Sequence, residues 1–187
     1  DEAEGKWFVK GDPTEGSLIV AAAKAGLNTV EIRIQNERVE EVPFSSERKR
    51  MTTIHRLEDG RVFAFMKGAP ELVLERCARV MIDGEVRDLE PQDRTAVQEA
   101  NAAMAGDALR VLGFACRALT AGVETNVEAL EAGMTFLGLQ GMIDPPRDEV
   151  KAAIRTCRDV KIKTVMITGD HKLTALAVAK EIGIFDE

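Results

Sequence analysis

Met66-Lys67-Gly68-Ala69-Pro70-Glu71 makes a strand end and a helix begin within a few residues. The strand runs in over Arg61 to Met66, Lys67 closes it, and Gly68 marks a place where the backbone can be approached closely. Pro70 then occupies the first turn of a helix carrying Leu72, Val73 and Leu74, where its missing N–H does no harm. The same strand is entered through Glu58-Asp59-Gly60, a hairpin signal because the glycine accepts positive φ without steric cost. Val39 to Phe44 and Met51 to Leu57 read as strands before it, and a second hairpin is expected around Asp83-Gly84.

The flanking regions read less uniformly. Trp7-Phe8-Val9 suggests a short strand entering the Gly11-Asp12-Pro13 turn, with Thr14 as N-cap of a helix through Leu18, Ile19, Ala22 and Ala23 that stops at Gly26. Val30 to Gln35 supports two readings: Val30, Ile32 and Ile34 alternate as in a strand, yet a short helix fits the same residues. Glu90 to Met104 reads as an Ala-rich amphipathic helix beginning at Pro91, Arg110 to Cys116 as a strand, and Thr120 to Asn126 as a surface loop. After Ala132 the pattern changes to strand (Phe136 to Ile143), helix (Asp148 to Asp159), short buried strand (Lys163 to Ile167) and helix (Leu173 to Ile182). That succession is the mark of a parallel α/β unit. A boundary is placed at Asp144-Pro145-Pro146, where two prolines stiffen the chain and remove ladder donors.

Composition excludes several classes. A formal charge of −7 argues against broad nucleic-acid binding, which calls for a basic face; Arg48-Lys49-Arg50 is the local exception and could meet a small anion. No apolar run approaches the roughly 20 residues that span a bilayer, and the N-terminus has no signal-peptide pattern. Cys77, Cys116 and Cys157 are widely spaced and odd in number, so reduced structural thiols are expected. His55 and His171 have no ligand-spaced neighbours, and no metal site is expected.

Five motifs stand in order along the chain: Gly11-Asp12-Pro13-Thr14-Glu15-Gly16, Pro43-Phe44-Ser45-Ser46-Glu47-Arg48-Lys49-Arg50-Met51, the Met66 to Glu71 segment, Asp144-Pro145-Pro146-Arg147, and Met166-Ile167-Thr168-Gly169-Asp170. Together they resemble the nucleotide-binding domain of the P-type cation-transporting ATPases, closest to the calcium-pump-like branch. The resemblance implies an α+β fold, an antiparallel sheet flanked by helices, over 1–143. It implies a C-terminal α/β fragment like that of the haloacid dehalogenases over 144–187, holding the hinge and part of the phosphorylation domain.

Individual residues carry two readings each. An aromatic ring such as Phe44 can be an ordinary core side chain or can stack on a flat base; the resemblance favours stacking on adenine. Lys49 and Lys67 are compact cations suited to a phosphate or a purine edge, or are simply solvated. By resemblance, Lys67 lines the adenine pocket beside Gly68, and Lys49 contacts the base or the phosphate chain. Glu15 stabilises a helix start, and the resemblance adds a hydrogen bond from the adenine amino group. Arg110, between apolar neighbours, needs a phosphate or an acidic partner; the resemblance assigns it to the polyphosphate and Leu112 to the base. Ser46 departs from the pattern, since many calcium-type pumps carry arginine there, and Arg48 or Arg50 could compensate. The match also brings Met51, Asp144, Arg147 and Gly169 into the nucleotide-contact set. Thr168-Gly169-Asp170 follows an apolar run and precedes a helix, a natural anion site; by resemblance Thr168 and Asp170 face the transferred phosphate.

The family's Asp-Lys-Thr-Gly-Thr and Gly-Asp-Gly-Xaa-Asn-Asp motifs are absent, as are membrane helices. The chain is therefore expected to be a fragment that begins a few residues before Gly11, binds ATP and does not turn it over. The resemblance implies a role in positioning ATP, with Mg²⁺ held mostly elsewhere, for phosphoryl transfer to an aspartate outside the chain. Its partners would be the remaining phosphorylation, actuator and transmembrane domains of one pump, on the cytoplasmic side of the membrane, with calcium as the expected ion. Two other readings stand beside this: a regulatory domain that lost its ligand, which Ser46 favours, and a soluble phosphatase, for which no nucleophilic Asp motif is found.

Overall fold

The computed structural model describes residues 2–3, 6–7, 11–107, 109–119, 126–143, 146–168 and 172–185. In chain order the elements are β1 (Glu2–Ala3), β2 (Lys6–Trp7), α1 (Pro13–Lys24), α2 (Thr29–Gln35), β3 (Glu37–Ser45), β4 (Arg50–Arg56), β5 (Val62–Gly68) and α3 (Pro70–Glu75). They continue as β6 (Cys77–Ile82), β7 (Glu85–Asp88), α4 (Pro91–Gly106), β8 (Arg110–Leu119), α5 (Val127–Leu130), β9 (Met134–Met142), α6 (Asp148–Asp159) and α7 (Lys172–Ile182). The fold is mixed α+β. Seven strands form one sheet in the order β3-β4-β5-β8-β9-β6-β7. The pairs β3–β4, β4–β5, β5–β8 and β6–β7 are antiparallel, while β6 and β9 run parallel.

Local chemistry accounts for most element ends. Asp12 caps α1, accepting from the Thr14 N–H at 2.7 Å, so the expected cap at Thr14 shifts two residues back. Pro13 fills the first helical position with its preset φ, which leaves capping to the residue before it. Gly26, at φ +76°, ends the helix as expected. The Val30 to Gln35 ambiguity resolves to helix, because Asn28 accepts from the Val30 and Glu31 N–H groups and nucleates the turn. Both expected hairpins form, at Leu57–Arg61 and between β6 and β7. Pro70 opens α3, and Val73 and Leu74 are buried beneath it. Phe8 and Val9, and Thr120 to Thr125 of the expected loop, lie outside the described residues.

The chain divides into two compact units, 1–89 with 113–138 and 90–112 with 139–187. In the first, alternate residues of three central strands are buried. Register aligns Thr52 with Met66 and Met66 with Ala115, and these are 0%, 1% and 1% exposed, the inner face of the sheet. One step along, Ile54, Ala64 and Leu130 form a cluster with Val42, Val62 and Leu119 around it. Burying a side chain of that size contributes about 1.5–3 kcal/mol. A Cβ on Gly68 would stand 2.5 Å from both the Arg50 Cβ and the Lys49 carbonyl. The glycine is thus required by the close approach of β4.

The second unit holds α4, α6 and α7, with Ile154, Ala179 and Ile182 buried, a Lys151–Glu181 ion pair at 3.2 Å, and Arg158 donating to the Gly183 carbonyl. The strand expected over Lys163 to Ile167 does not form. Residues 162–168 have no helix or strand assignment, and Val165 and Ile167 are 71% and 93% exposed. An apolar run supplies β-propensity, but a strand exists only where a neighbour completes its ladder, and none pairs with this run among the described residues. Among the described residues no helix is long and apolar enough to cross a membrane.

Candidate functional site

The outer face of the same strands is built from the other half of each alternation. Register aligns Met51 with Lys67 and Lys67 with Phe114, and aligns Thr53 with Phe65. Because successive side chains point to opposite faces, these five share one side, away from the buried Thr52 and Met66. Here a hollow of about 230 Å³ opens. Phe65, Phe114 and Met51 line it with apolar surface, Thr53 adds a hydroxyl, and Met66 also contributes. Glu15 from α1, Lys67 and Arg38 from β3 supply charge around it. The Lys67 ammonium donates to the Glu15 carboxylate; Lys67 is 20% exposed and Glu15 56% exposed at the side chain. Arg38 pairs with Glu41 at 2.8 Å.

Aromatic contacts stiffen the neighbouring surface. Phe65 stacks on Phe63 with centroids 6.0 Å apart and meets the His55 ring edge-on at 5.7 Å. His55 Nε2 lies 3.1 Å from the Thr53 hydroxyl. The hollow therefore joins flat apolar surface to a cation, a carboxylate and a hydroxyl. Such a lining suits a small planar heterocycle with donors and acceptors on its edge. At about 230 Å³ it falls below the roughly 300–1,000 Å³ of sites that enclose a drug-sized molecule, so its volume matches a single ring system rather than a larger ligand. A larger hollow of about 380 Å³ at the β4–β5 hairpin is lined, among the described residues, by Asn36, Leu57, Glu58 and Asp59, with neither an aromatic ring nor a cation among them.

Of the residues expected from sequence, Glu15, Met51 and Lys67 meet here. Phe44 and Lys49 do not line the hollow. Phe44 is 62% exposed and sits in a β-bulge, where Val42 aligns with Thr52 but Ser45 with Arg50. The extra residue leaves Phe44 next to inward-facing Ser45, hence by alternation on the side of Met51. Lys49 is exposed at φ +47° in the β3–β4 turn. Gly68 is buried, and β4 occupies the space its missing side chain leaves. Arg110 is exposed and Leu112 half-buried on β8, both in the second unit. There too Arg147 is exposed at the N-cap of α6 and Thr168 is exposed. Asp144, Gly169 and Asp170 lie outside the described residues.

Sequence reasoning missed Arg38, Thr53, Phe65 and Phe114. Period-two spacing from Met51 and Lys67 points to Thr53 and Phe65, whereas Arg38 and Phe114 emerge only from the register. It also missed Glu131, fully buried at the end of α5. Glu131 accepts from Arg48 Nη1 at 2.7 Å, Arg50 Nε at 2.7 Å and the Thr52 hydroxyl at 2.8 Å. Burial pushes its carboxyl up, but the bonds from Thr52, Arg50 and Arg48 outweigh this and hold it below the usual glutamate range. Arg50 is 5% exposed on the inner face, so the basic run does not present three cations to an anion, and Arg50 cannot compensate for Ser46.

The three cysteines are unbridged, and burial pushes the Cys116 thiol up, away from the reactive thiolate. Among the described residues no group of three His, Cys, Asp or Glu is placed to hold a metal ion.

A family model described as P-type ATPase, cytoplasmic domain N, matches residues 1–149. The chain is 40% identical over 182 residues to a calcium-transporting ATPase of Bacillus subtilis (strain 168), covering 97% of the chain and 20% of that protein. It is 43% identical over 187 residues to the cation-transporting ATPase pma1 of Synechocystis (97% and 20% covered). It is 38% identical over 190 residues to a sodium/potassium-transporting ATPase subunit alpha of Drosophila melanogaster (96% and 18%). The chain thus spans about a fifth of the length of these relatives. A match of this extent, on a seven-stranded α+β fold, shows that the chain belongs to the P-type ATPases and carries their cytoplasmic N domain.

Proposed function

We propose that the chain binds ATP, seating the adenine in the outer-face hollow, and positions it for phosphoryl transfer within a cation-transporting P-type ATPase. The observation that carries this reading is the meeting of Glu15, Lys67 and the Phe65–Phe114 surface in one hollow. In this reading a purine inserts against the rings and exchanges bonds with the Glu15–Lys67 pair. The Glu15 carboxylate accepts from the exocyclic amine, which selects adenine over guanine, and Lys67 donates to a ring nitrogen. Phe44, exposed on the same side by the alternation of β3, covers the base by stacking, and Lys49 follows towards the phosphates. Holding the remote base commits the γ-phosphate to its acceptor, an aspartate on the phosphorylation domain, when the domains close.

Residues 144–187 are assigned to the hinge and to part of a haloacid-dehalogenase-like phosphorylation domain. Their support is the Asp144-Pro145-Pro146-Arg147 run and the helices α6 and α7 that flank Thr168-Gly169-Asp170. In this assignment Thr168 and Asp170 attend the transferred phosphate. Mg²⁺ is assigned to the phosphates of ATP and to other parts of the pump. Calcium is the proposed ion, supported by the name of the Bacillus relative.

Titrating ATP into the wild-type chain and into Phe44→Ala and Lys67→Ala tests this. Each variant is expected to lose about 1–3 kcal/mol of affinity, the worth of one base stack or one charge-assisted bond. Absence of binding in all three proteins, wild type included, would leave the regulatory-domain reading in its place.

A further inference from the structure

The turn between β3 and β4 carries Phe44 and Lys49, and its geometry is held from below. Lys49 adopts φ +47°, a left-handed conformation uncommon for a residue with a side chain, and such positions persist where the surroundings over-determine them. Three groups do so here. The Lys49 N–H donates to the Ser45 carbonyl at 2.6 Å, and the Lys49 carbonyl accepts from Ala69 at 3.0 Å. Arg48 spans the turn, one nitrogen on Glu131 at 2.7 Å and another on the Pro43 carbonyl at 2.6 Å, next to Phe44. Arg50 bonds Glu131 at 2.7 Å and the Arg48 carbonyl at 3.1 Å.

Glu131 is itself anchored. Its N–H donates to Val127, and the Arg117 guanidinium of β8 bonds the carbonyls of Ala129 and Ala132 on either side of it, at 2.8 and 2.7 Å. A fully buried carboxylate thus joins the rigid centre of the sheet to the one turn that carries two of the expected base and phosphate contacts. We infer that Glu131 is a positioning residue for nucleotide binding. It fixes, through Arg48 and Arg50, the bulge and turn that set Phe44 and Lys49, and touches no ligand itself. This rests on the ATP-binding reading and adds to it a residue outside the hollow.

The test measures ATP affinity by calorimetry for the wild-type chain, Glu131→Gln, Arg48→Gln and Val80→Ala, each at a temperature where circular dichroism shows it folded. Val80 is buried on β6, four strands from β4, and serves as a variant that loses stability without touching the turn. Glu131→Gln is expected to weaken ATP about tenfold, within the range set by losing a base stack. Arg48→Gln should weaken it by a smaller factor, and Val80→Ala should leave it unchanged. Backbone amide resonances of residues 46–49 should move in the first two variants only. If Glu131→Gln does not fold, Arg48→Gln carries the test alone. Wild-type binding with equal affinity in Glu131→Gln and Arg48→Gln, or an equal loss in Val80→Ala, overturns the inference. A wild-type chain that binds no ATP overturns the ATP reading itself.

Discussion

The two faces of strands β4 and β5 put adjacent residues to opposite uses. On the inner face Arg50, Thr52 and Met66 are buried, and the Arg50 guanidinium and the Thr52 hydroxyl both bond Glu131. On the outer face Met51, Thr53, Phe65 and Lys67 line a hollow, and the ion pair crossing it is half in water. A pair without water holds its geometry because breaking it strands a charge; a solvated pair exchanges partners at little cost. Rigidity and exchange are thus separated by one residue along a strand, and the difference between the faces is open to measurement.

The largest effect belongs to the buried side. Glu131→Ala leaves the buried Arg50 guanidinium without its carboxylate and takes one of two acceptors from Arg48, and should lower stability by about 3–5 kcal/mol in chemical denaturation. A loss below about 1 kcal/mol would mean that the network contributes little. The same carboxyl sets a pH dependence. Its folded pKa lies below its unfolded value, so its stabilisation is complete above the unfolded value and fades as the pH falls through the folded one. Wild type should therefore lose stability below the ordinary glutamate range more steeply than Glu131→Gln, as urea melts at stepped pH would show.

Next comes Gly68→Ala. With β4 only 2.5 Å from the added carbon, strands must shift, and a cost of about 1–3 kcal/mol is expected in thermal melts. A neutral result would show that the strands can separate and that the two faces are less tightly coupled. Removing the α1 cap with Asp12→Ala should cost about 1 kcal/mol. The smallest effect falls on the outer face: Glu15→Gln should change stability by no more than about 1 kcal/mol while weakening ATP relative to GTP. If it destabilises as strongly as Glu131→Ala, the distinction between the faces fails.

Signals that act locally were legible from the sequence. Asp59-Gly60, Pro70, Asp83-Gly84 and Gly26 each fix a turn or a helix end through their own φ preference, and each stands where it was expected. Thr14 was displaced as cap because a neighbouring proline decides which residue can cap. The run 163–167 was not legible, since a strand depends on a partner that propensity cannot supply. The site divides the same way. Glu15, Met51 and Lys67 sit in recognisable motifs, whereas Arg38 and Phe114 reach the hollow only through strand register. Glu131 lies 81 residues from Arg50, with no local pattern to join them.

The central claim is that the outer-face hollow receives the base of ATP. Amide chemical-shift mapping of the ¹⁵N-labelled chain during an ATP titration tests it most directly. The account predicts saturable shifts at Glu15, Met51, Thr53, Phe65, Lys67 and Phe114, and only small ones at Asn36 and Leu57 to Asp59. Shifts concentrated at the β4–β5 hairpin, with the outer-face strands silent, would contradict it.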